Sequence, residues 1–301
     1  MGFVEGDRAA FAAFIAYSVL AGGNAVGVRF SNQELDPFWG AALRFSLAAA
    51  LMLVVMFAMG HRFPRGRALA GAAVYGLLAF GGAFAFAFYA LVELEAGFGQ
   101  ILLSIVPLLT LLLGAVQRLE RLRIAPVVGA LVAAAGVLVM SGVALDRSVP
   151  LVPVLAALGA AVCFAQAGLT IKRFPPVPPV VENAVGMAVG AIFLTLLTFI
   201  AGDTIALPRQ ADTTWAVAYM VVIGSGVVFT LYVLVLGRWD ASRANYGFVI
   251  IPIVTVLVSA WLLDEEITWR LVLGGLFVLV GVYLGALREH RRAARHPVIH
   301  P

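Results

Sequence analysis

The chain has 301 residues, of which 62% are hydrophobic and only 12% charged, against roughly 25% charged in ordinary soluble domains. A mean hydropathy of +1.02, carried by apolar runs of about twenty residues from end to end, excludes a single globular core and requires lipid as a solvent. The formal net charge of +4 would point a soluble protein toward nucleic acid, but the basic residues lie almost entirely between apolar runs, so no nucleic-acid partner is expected.

Ten spans are predicted, at residues 9–29, 37–59, 68–90, 96–116, 124–143, 151–171, 179–201, 213–235, 243–263 and 269–287. Each is long enough to cross about 30 Å at 1.5 Å per residue. The first follows Arg8 and is longer than a signal-peptide core, so it reads as retained; it carries Asn24. The second holds Arg44 seven residues inside its start. A cation there would cost up to about 2.5 to 3.5 kcal/mol at the bilayer centre, so it either snorkels outward or pairs with a substrate carboxylate. The third carries Tyr75, Phe84, Phe88 and Tyr89, and the fourth Gln100, Ser104 and Pro107. The sixth contains Phe164, Gln166 and the only cysteine, Cys163, read as a buried free thiol. The seventh opens with Glu182, read as an interfacial group rather than a coupling site, and continues with Gly186 and Gly190 in GxxxG spacing. Gly281 and Gly285 in the tenth repeat that spacing, which serves either helix packing or a dimer face. The eighth carries Phe229 and Tyr232, and the ninth Asn245, Tyr246 and Pro252.

With the N-terminus inside, fifteen Lys and Arg fall on inner segments and four on outer ones. That asymmetry orients a membrane protein with its basic side in the cytoplasm, which places both termini there. The outer connections are acidic instead.

A constant offset of 145 residues aligns the stretch beginning at Ala96 with that beginning at Ala241, without a gap. Pro107 meets Pro252, Thr110 meets Thr255, Glu120 meets Glu265, Gly129 meets Gly274 and Gly136 meets Gly281. Breakers, polar and small residues recurring in register are not what two unrelated apolar helix pairs share. Five spans per half is an odd number, so the halves, residues 1–147 and 148–301, must be inverted. Inverted repeats around an axis in the membrane plane are a secondary-transporter architecture with the substrate between the halves. The expected fold is therefore all-α and integral to the membrane, ten helices in two inverted five-helix repeats. Pro107 and Pro252 each free a carbonyl four residues earlier, making them hinge candidates or static kinks.

The stretches YALVELEAGFGQILLSIVPLLTLLLGAVQRLERLRIAPVVGALVAAAGVLVM and LGRWDASRANYGFVIIPIVTVLVSAWLLDEEITWRLVLGGLFVLVGVYL resemble the drug/metabolite transporter superfamily of EamA type. The shared pattern is a small and polar helix start, a central Pro, a terminal Glu and a Gly-spaced following helix. The resemblance extends to AGGNAVGVRF and PFWGAALRF, although the Trp-Gly pair common in span one is here Ala21 and Gly22. Within the superfamily the chain is similar to the YddG group of amino-acid exporters. The resemblance implies a multi-pass protein of the bacterial inner membrane that exports amino acids or related metabolites.

Polar and aromatic groups at membrane depth are the candidates for a substrate cavity. They are Asn24, Arg44, Gln100, Ser104, Gln166, Asn245 and Tyr246, with Tyr75, Phe84, Phe88, Tyr89, Phe164, Phe229 and Tyr232 as apolar walls. Gln100 and Asn245 are repeat equivalents near the span ends and serve as site contacts, gates or caps; for any one aromatic, helix packing or an interfacial belt is the favoured role. No Asp or Glu lies in the middle of a predicted span, which favours facilitated diffusion over proton antiport of cations, the rival reading. A membrane scaffold is a further rival. No nucleotide loop, HExxH motif or nucleophile–base pair is present, so neither catalysis nor a cofactor is expected. The expected partners are a small-molecule substrate and the bilayer, with the chain a monomer or homodimer.

Overall fold

The computed structural model describes residues 5–119 and 150–284, with isolated positions between 128 and 139. Most of the predicted fifth span, Glu120, Arg243's side chain and Gly285 fall outside the described residues. The described residues are helical, with no strand among them. Among the described residues seven helices are long and apolar enough to cross a membrane: α1 (Arg8–Asn32), α2 (Pro37–Ala58), α3 (Arg67–Glu93), α4 (Ala96–Val116), α5 (Leu151–Arg173), α6 (Pro179–Ala201) and α7 (Ala211–Arg238). Two shorter apolar helices follow, α8 (Gly247–Leu262) and α9 (Trp269–Val282).

Several helices are interrupted where the sequence weakens them. α1 breaks at the Gly22–Gly23 pair, the poorest helix formers available short of proline. A break at membrane depth exposes carbonyls that water cannot reach, so neighbouring helices must bond them. The Tyr219 hydroxyl of α7 donates to Leu20 O at 2.5 Å, and the Thr255 hydroxyl of α8 donates to Gly22 O at 2.8 Å. α4 breaks at Ser104–Ile105, and Pro107 opens its second segment, where the missing N–H costs nothing. Pro252, its repeat equivalent, instead sits inside continuous α8; the second half breaks earlier, at Asn245–Tyr246, after the turn Ala241–Ala244. α3 and α7 each carry a π-helical stretch, Leu77–Gly82 and Met220–Val227. These occupy corresponding places under the 145-residue offset, as do the boundaries of α3 and α7 to within a residue.

Helices from the two parts of the chain interleave. α6 packs along α2 and α3, α5 along the later turns of α3 and α4, and α1 against α7 and α8. α3 and α6 approach each other closely. A Cβ on Gly76 would lie 2.6 Å from Gly186 C, and one on Gly190 would lie 2.5 Å from Phe80 Cβ. Gly186 and Gly190 therefore face α3, and their GxxxG spacing serves packing within the chain. Cys163, expected to be buried, is half-buried on α5 beside Gly82.

The connections that the sequence marks as acidic cap helix starts through backbone amides. Asp203 accepts from Phe38 N and Trp39 N at 2.9 and 3.0 Å, at the start of α2. Glu34 accepts from Arg209 N and Gln210 N at 2.6 and 3.1 Å, just ahead of α7. Glu265 accepts from Ala96 N and Gly97 N at 2.8 and 3.3 Å, at the start of α4, with Arg29 Nε at 3.7 Å. Carboxylates on unpaired amides at the positive end of a helix dipole are favourable in all three places.

Candidate functional site

A cavity of about 70 Å³ lies among α1, α3, α4, α5, α7 and α8. The break in α1 and the π stretches in α3 and α7 sit in the helices that wall it, where they reorient successive side chains. Six of the residues singled out from sequence line it: Asn24, Phe84, Gln100, Phe164, Phe229 and Tyr232. Tyr17, Phe248, Val28 and Ile251 join them; nothing in a largely apolar helix marks which residues face inward. The rings pack edge to face: Phe84 with Phe164 at 5.5 Å, Phe84 with Phe229 at 5.9 Å, and Tyr17 with Tyr232 at 5.6 Å between centroids. No acidic residue lines the cavity among the described residues. Its volume is small beside the roughly 300 Å³ or more of ordinary ligand pockets. A metabolite would need more room than the cavity offers in this conformation.

A buried polar network adjoins the cavity through Tyr232, which lines it. Tyr232 donates to Asn245 Oδ1 at 2.6 Å, and Asn245 Nδ2 donates to Thr110 Oγ1 at 2.8 Å, joining α7, the turn before α8, and α4. The Tyr17 hydroxyl donates to Ala244 O alongside. Asn245 is thus fully buried and lies outside the cavity lining. Its repeat equivalent Gln100 lines the cavity with no side-chain hydrogen bond among the described residues.

Arg44 does not snorkel. It is fully buried, directed between the helices, and separated from the cavity by Asn24. Its Nε donates to Ser225 Oγ at 3.0 Å, Nη2 to Asn24 Oδ1 at 3.1 Å, and Nη1 to Met220 Sδ at 3.5 Å. Ser225 and Met220 belong to the π stretch of α7, where Gly224, lacking a side chain, lets Asn24 and Arg44 approach closely.

The remaining candidates are not brought to the cavity. Tyr75 is fully buried between helices, edge-on to Phe80, with its hydroxyl unpartnered. Phe88 is fully buried against Gly40 and Ser31. Tyr89 is 38% exposed and stacks on Phe38. Ser104 bonds Ile101 O at 2.6 Å across the break in α4. Gln166 accepts from Gln117 at 2.6 Å, and Tyr246 is half-buried outside the lining. Glu182, expected at the interface, is only 6% exposed and sits in a separate crevice of about 330 Å³ with Phe174, Pro176 and Arg238. The packing of the Pro-rich segment before α6 covers it. Between α3 and α4, burial and then the neighbouring Glu265 push the Glu95 carboxyl up from its ordinary value.

Two stretches of the chain, residues 8–142 and 151–286, match the EamA-like transporter family. An "Uncharacterized transporter" of Archaeoglobus fulgidus is 26% identical over 85% of this chain and 91% of its own length. The "Uncharacterized inner membrane transporter YedA" of Escherichia coli is 24% identical over 96% of this chain and 95% of its own. A "Probable amino-acid metabolite efflux pump" of Escherichia coli is 25% identical over 92% of this chain and 94% of its own. A solved crystal structure superposes with a TM-score of 0.70 at 23% identity, covering 95% of this chain and 99% of that one, which speaks to the fold alone.

Proposed function

Since the chain belongs to the EamA-like transporter family and is a multi-pass membrane protein, we propose that it exports small metabolites, amino acids with neutral or aromatic side chains foremost, by alternating access. The observation that carries this reading is the cavity between interleaved helices, walled by Phe84, Phe164, Phe229 and Phe248 and offering the amides of Asn24 and Gln100. Aromatic walls suit an apolar side chain and the amides suit its polar end.

Ten spans in two inverted halves provide the moving parts. The gapless 145-residue offset, the two family matches at 8–142 and 151–286, and the paired π stretches support that arrangement. The excess of Lys and Arg on inner segments supports cytoplasmic termini. In that orientation the Tyr232–Asn245–Thr110 network closes the cytoplasmic end, and its release exposes the cavity inward. The break beside Pro107 supplies one flex point; Pro252, within α8, supplies the other by its missing hydrogen bond.

Transport is by facilitated diffusion, because the cavity lining holds no carboxylate to titrate. Cation efflux by proton antiport would need one there. Counterflow of labelled phenylalanine in proteoliposomes tests the reading. Exchange driven by the substrate gradient alone is expected. Strict dependence on a pH gradient would contradict the uncoupled mechanism, and failure of every neutral amino acid to exchange would contradict the substrate class.

A further inference from the structure

No anion among the described residues meets the buried Arg44. Its guanidinium lies beside the rings of Phe45 and Phe84, 4.9 and 4.7 Å from their centroids. Its hydrogen bonds all end on neutral atoms, Ser225 Oγ, Asn24 Oδ1 and Met220 Sδ. No acidic side chain among the described residues pairs with it. A guanidinium stays protonated in proteins, and a buried cation without a counter-ion is an unfavourable arrangement unless something else supplies the charge. Its planar fork matches a carboxylate with two parallel hydrogen bonds, which a thioether and an amide oxygen do not reproduce.

Asn24 is the wall between that cation and the cavity: it lines the cavity while its Oδ1 holds Nη2. Rotating the Asn24 side chain away would present Nη2 to the cavity. Beyond Asn24 the walls are apolar side chains and rings with the neutral groups of Gln100, Tyr17 and Tyr232, and among the described residues no carboxylate stands ready for an ammonium group.

We infer that Arg44 is a carboxylate receptor screened by Asn24, and that the substrates are monocarboxylates with an apolar body for which an α-ammonium group is dispensable. This deepens the transport reading and rests on it for its physiological meaning. Phenylalanine, N-acetylphenylalanine and 3-phenylpropionate should all occupy the site, whereas phenethylamine, with the same ring and no carboxylate, should not.

Binding to the purified full chain by titration calorimetry tests it, with 3-phenylpropionate and phenethylamine as probes. The native protein is expected to bind 3-phenylpropionate at least tenfold more tightly than phenethylamine, and Arg44→Gln to lose that preference. Because Arg44→Gln could fail to fold, Asn24→Asp is the second variant. It places a carboxylate where Oδ1 already meets Nη2, so it should raise the melting temperature while weakening 3-phenylpropionate at least tenfold. The inference is overturned if 3-phenylpropionate does not bind, if phenethylamine binds as tightly, or if Asn24→Asp leaves the acid's affinity within twofold. Binding of 3-phenylpropionate without amino-acid counterflow would sink the transport reading and keep the receptor. Counterflow that keeps its acid preference in Arg44→Gln would do the reverse.

Discussion

The contact between α1 and the π stretch of α7 should show in a double-mutant cycle on Gly224 and Asn24. A Cβ on Gly224 would penetrate Asn24 Oδ1, lie 3.0 Å from Asn24 Cγ and come within 3.2 Å of Arg44 Nη2. The amide must rotate away, which breaks the Asn24–Arg44 hydrogen bond of 3.1 Å. A hydrogen bond to a charged group contributes about 1.5–3 kcal/mol, and overpacking adds about 1–3 kcal/mol. Replacing a helical glycine returns up to about 1 kcal/mol. Gly224→Ala should therefore destabilise by about 1.5–6 kcal/mol, and Asn24→Ala by about 1.5–3 kcal/mol through its lost hydrogen bond. In the double variant the new methyl meets no amide and the hydrogen bond is lost only once. It should be less destabilised than the sum by at least about 1 kcal/mol. Unfolding in mixed micelles titrated with sodium dodecyl sulfate measures all four proteins. Additivity within about 0.5 kcal/mol would refute the claimed contact.

Gly76→Ala should cost more than about 3 kcal/mol, because its Cβ would meet the Gly186 backbone, which no side-chain rotation relieves. Gly237→Ala, with nothing within 4 Å, is the control and should change stability by no more than about 0.5 kcal/mol. Burial pushes the Glu34 carboxyl up, but the amides of Arg209 and Gln210 outweigh it and hold the group below its ordinary value. Its contribution to stability is then present above the ordinary carboxylate range and lost as pH falls through the depressed value. The native protein should exceed Glu34→Gln in melting temperature at neutral pH and converge with it in acid; a gap that widens on acidification would contradict the assignment. Under uncoupled transport, N-acetylphenylalanine carries one net charge and phenylalanine none. A 100 mV potential, worth about 2.3 kcal/mol per charge, should drive about 50-fold accumulation of the first in vesicles and none of the second. Voltage-insensitive uptake of N-acetylphenylalanine would point to a coupled ion instead.

The sequence made the spans legible because lipid demands long apolar helices with satisfied backbones, and that requirement leaves a mark on every residue in the run. Helix rotation leaves no such mark. Phe84 and Phe88 lie one turn apart and both turn inward, yet Tyr89, one residue on, is rotated by about 100° and faces out. Tyr17 and Phe248 went unmarked for the same reason, since their helices are largely apolar. The paired prolines looked equivalent, but the backbone breaks three residues before Pro107 and seven before Pro252. Where a helix breaks depends on who receives the freed carbonyls, and that is decided by neighbours such as Tyr219 and Thr255. Arg44 was conspicuous as a charge at membrane depth; that it meets Ser225 and Met220 depended on a π stretch that the run Met220–Val227 did not announce.

Alternating access through this cavity is tested most directly by fastening the place where Tyr17 meets Ala244. Cysteines at those two positions, in a Cys163→Ser background, should be joined by a short bifunctional thiol reagent, because the Tyr17 hydroxyl reaches the Ala244 carbonyl. The prediction is that cross-linked protein in proteoliposomes loses phenylalanine counterflow and that a cleavable reagent restores it on reduction. Counterflow that continues at the native rate in fully cross-linked protein would contradict the account.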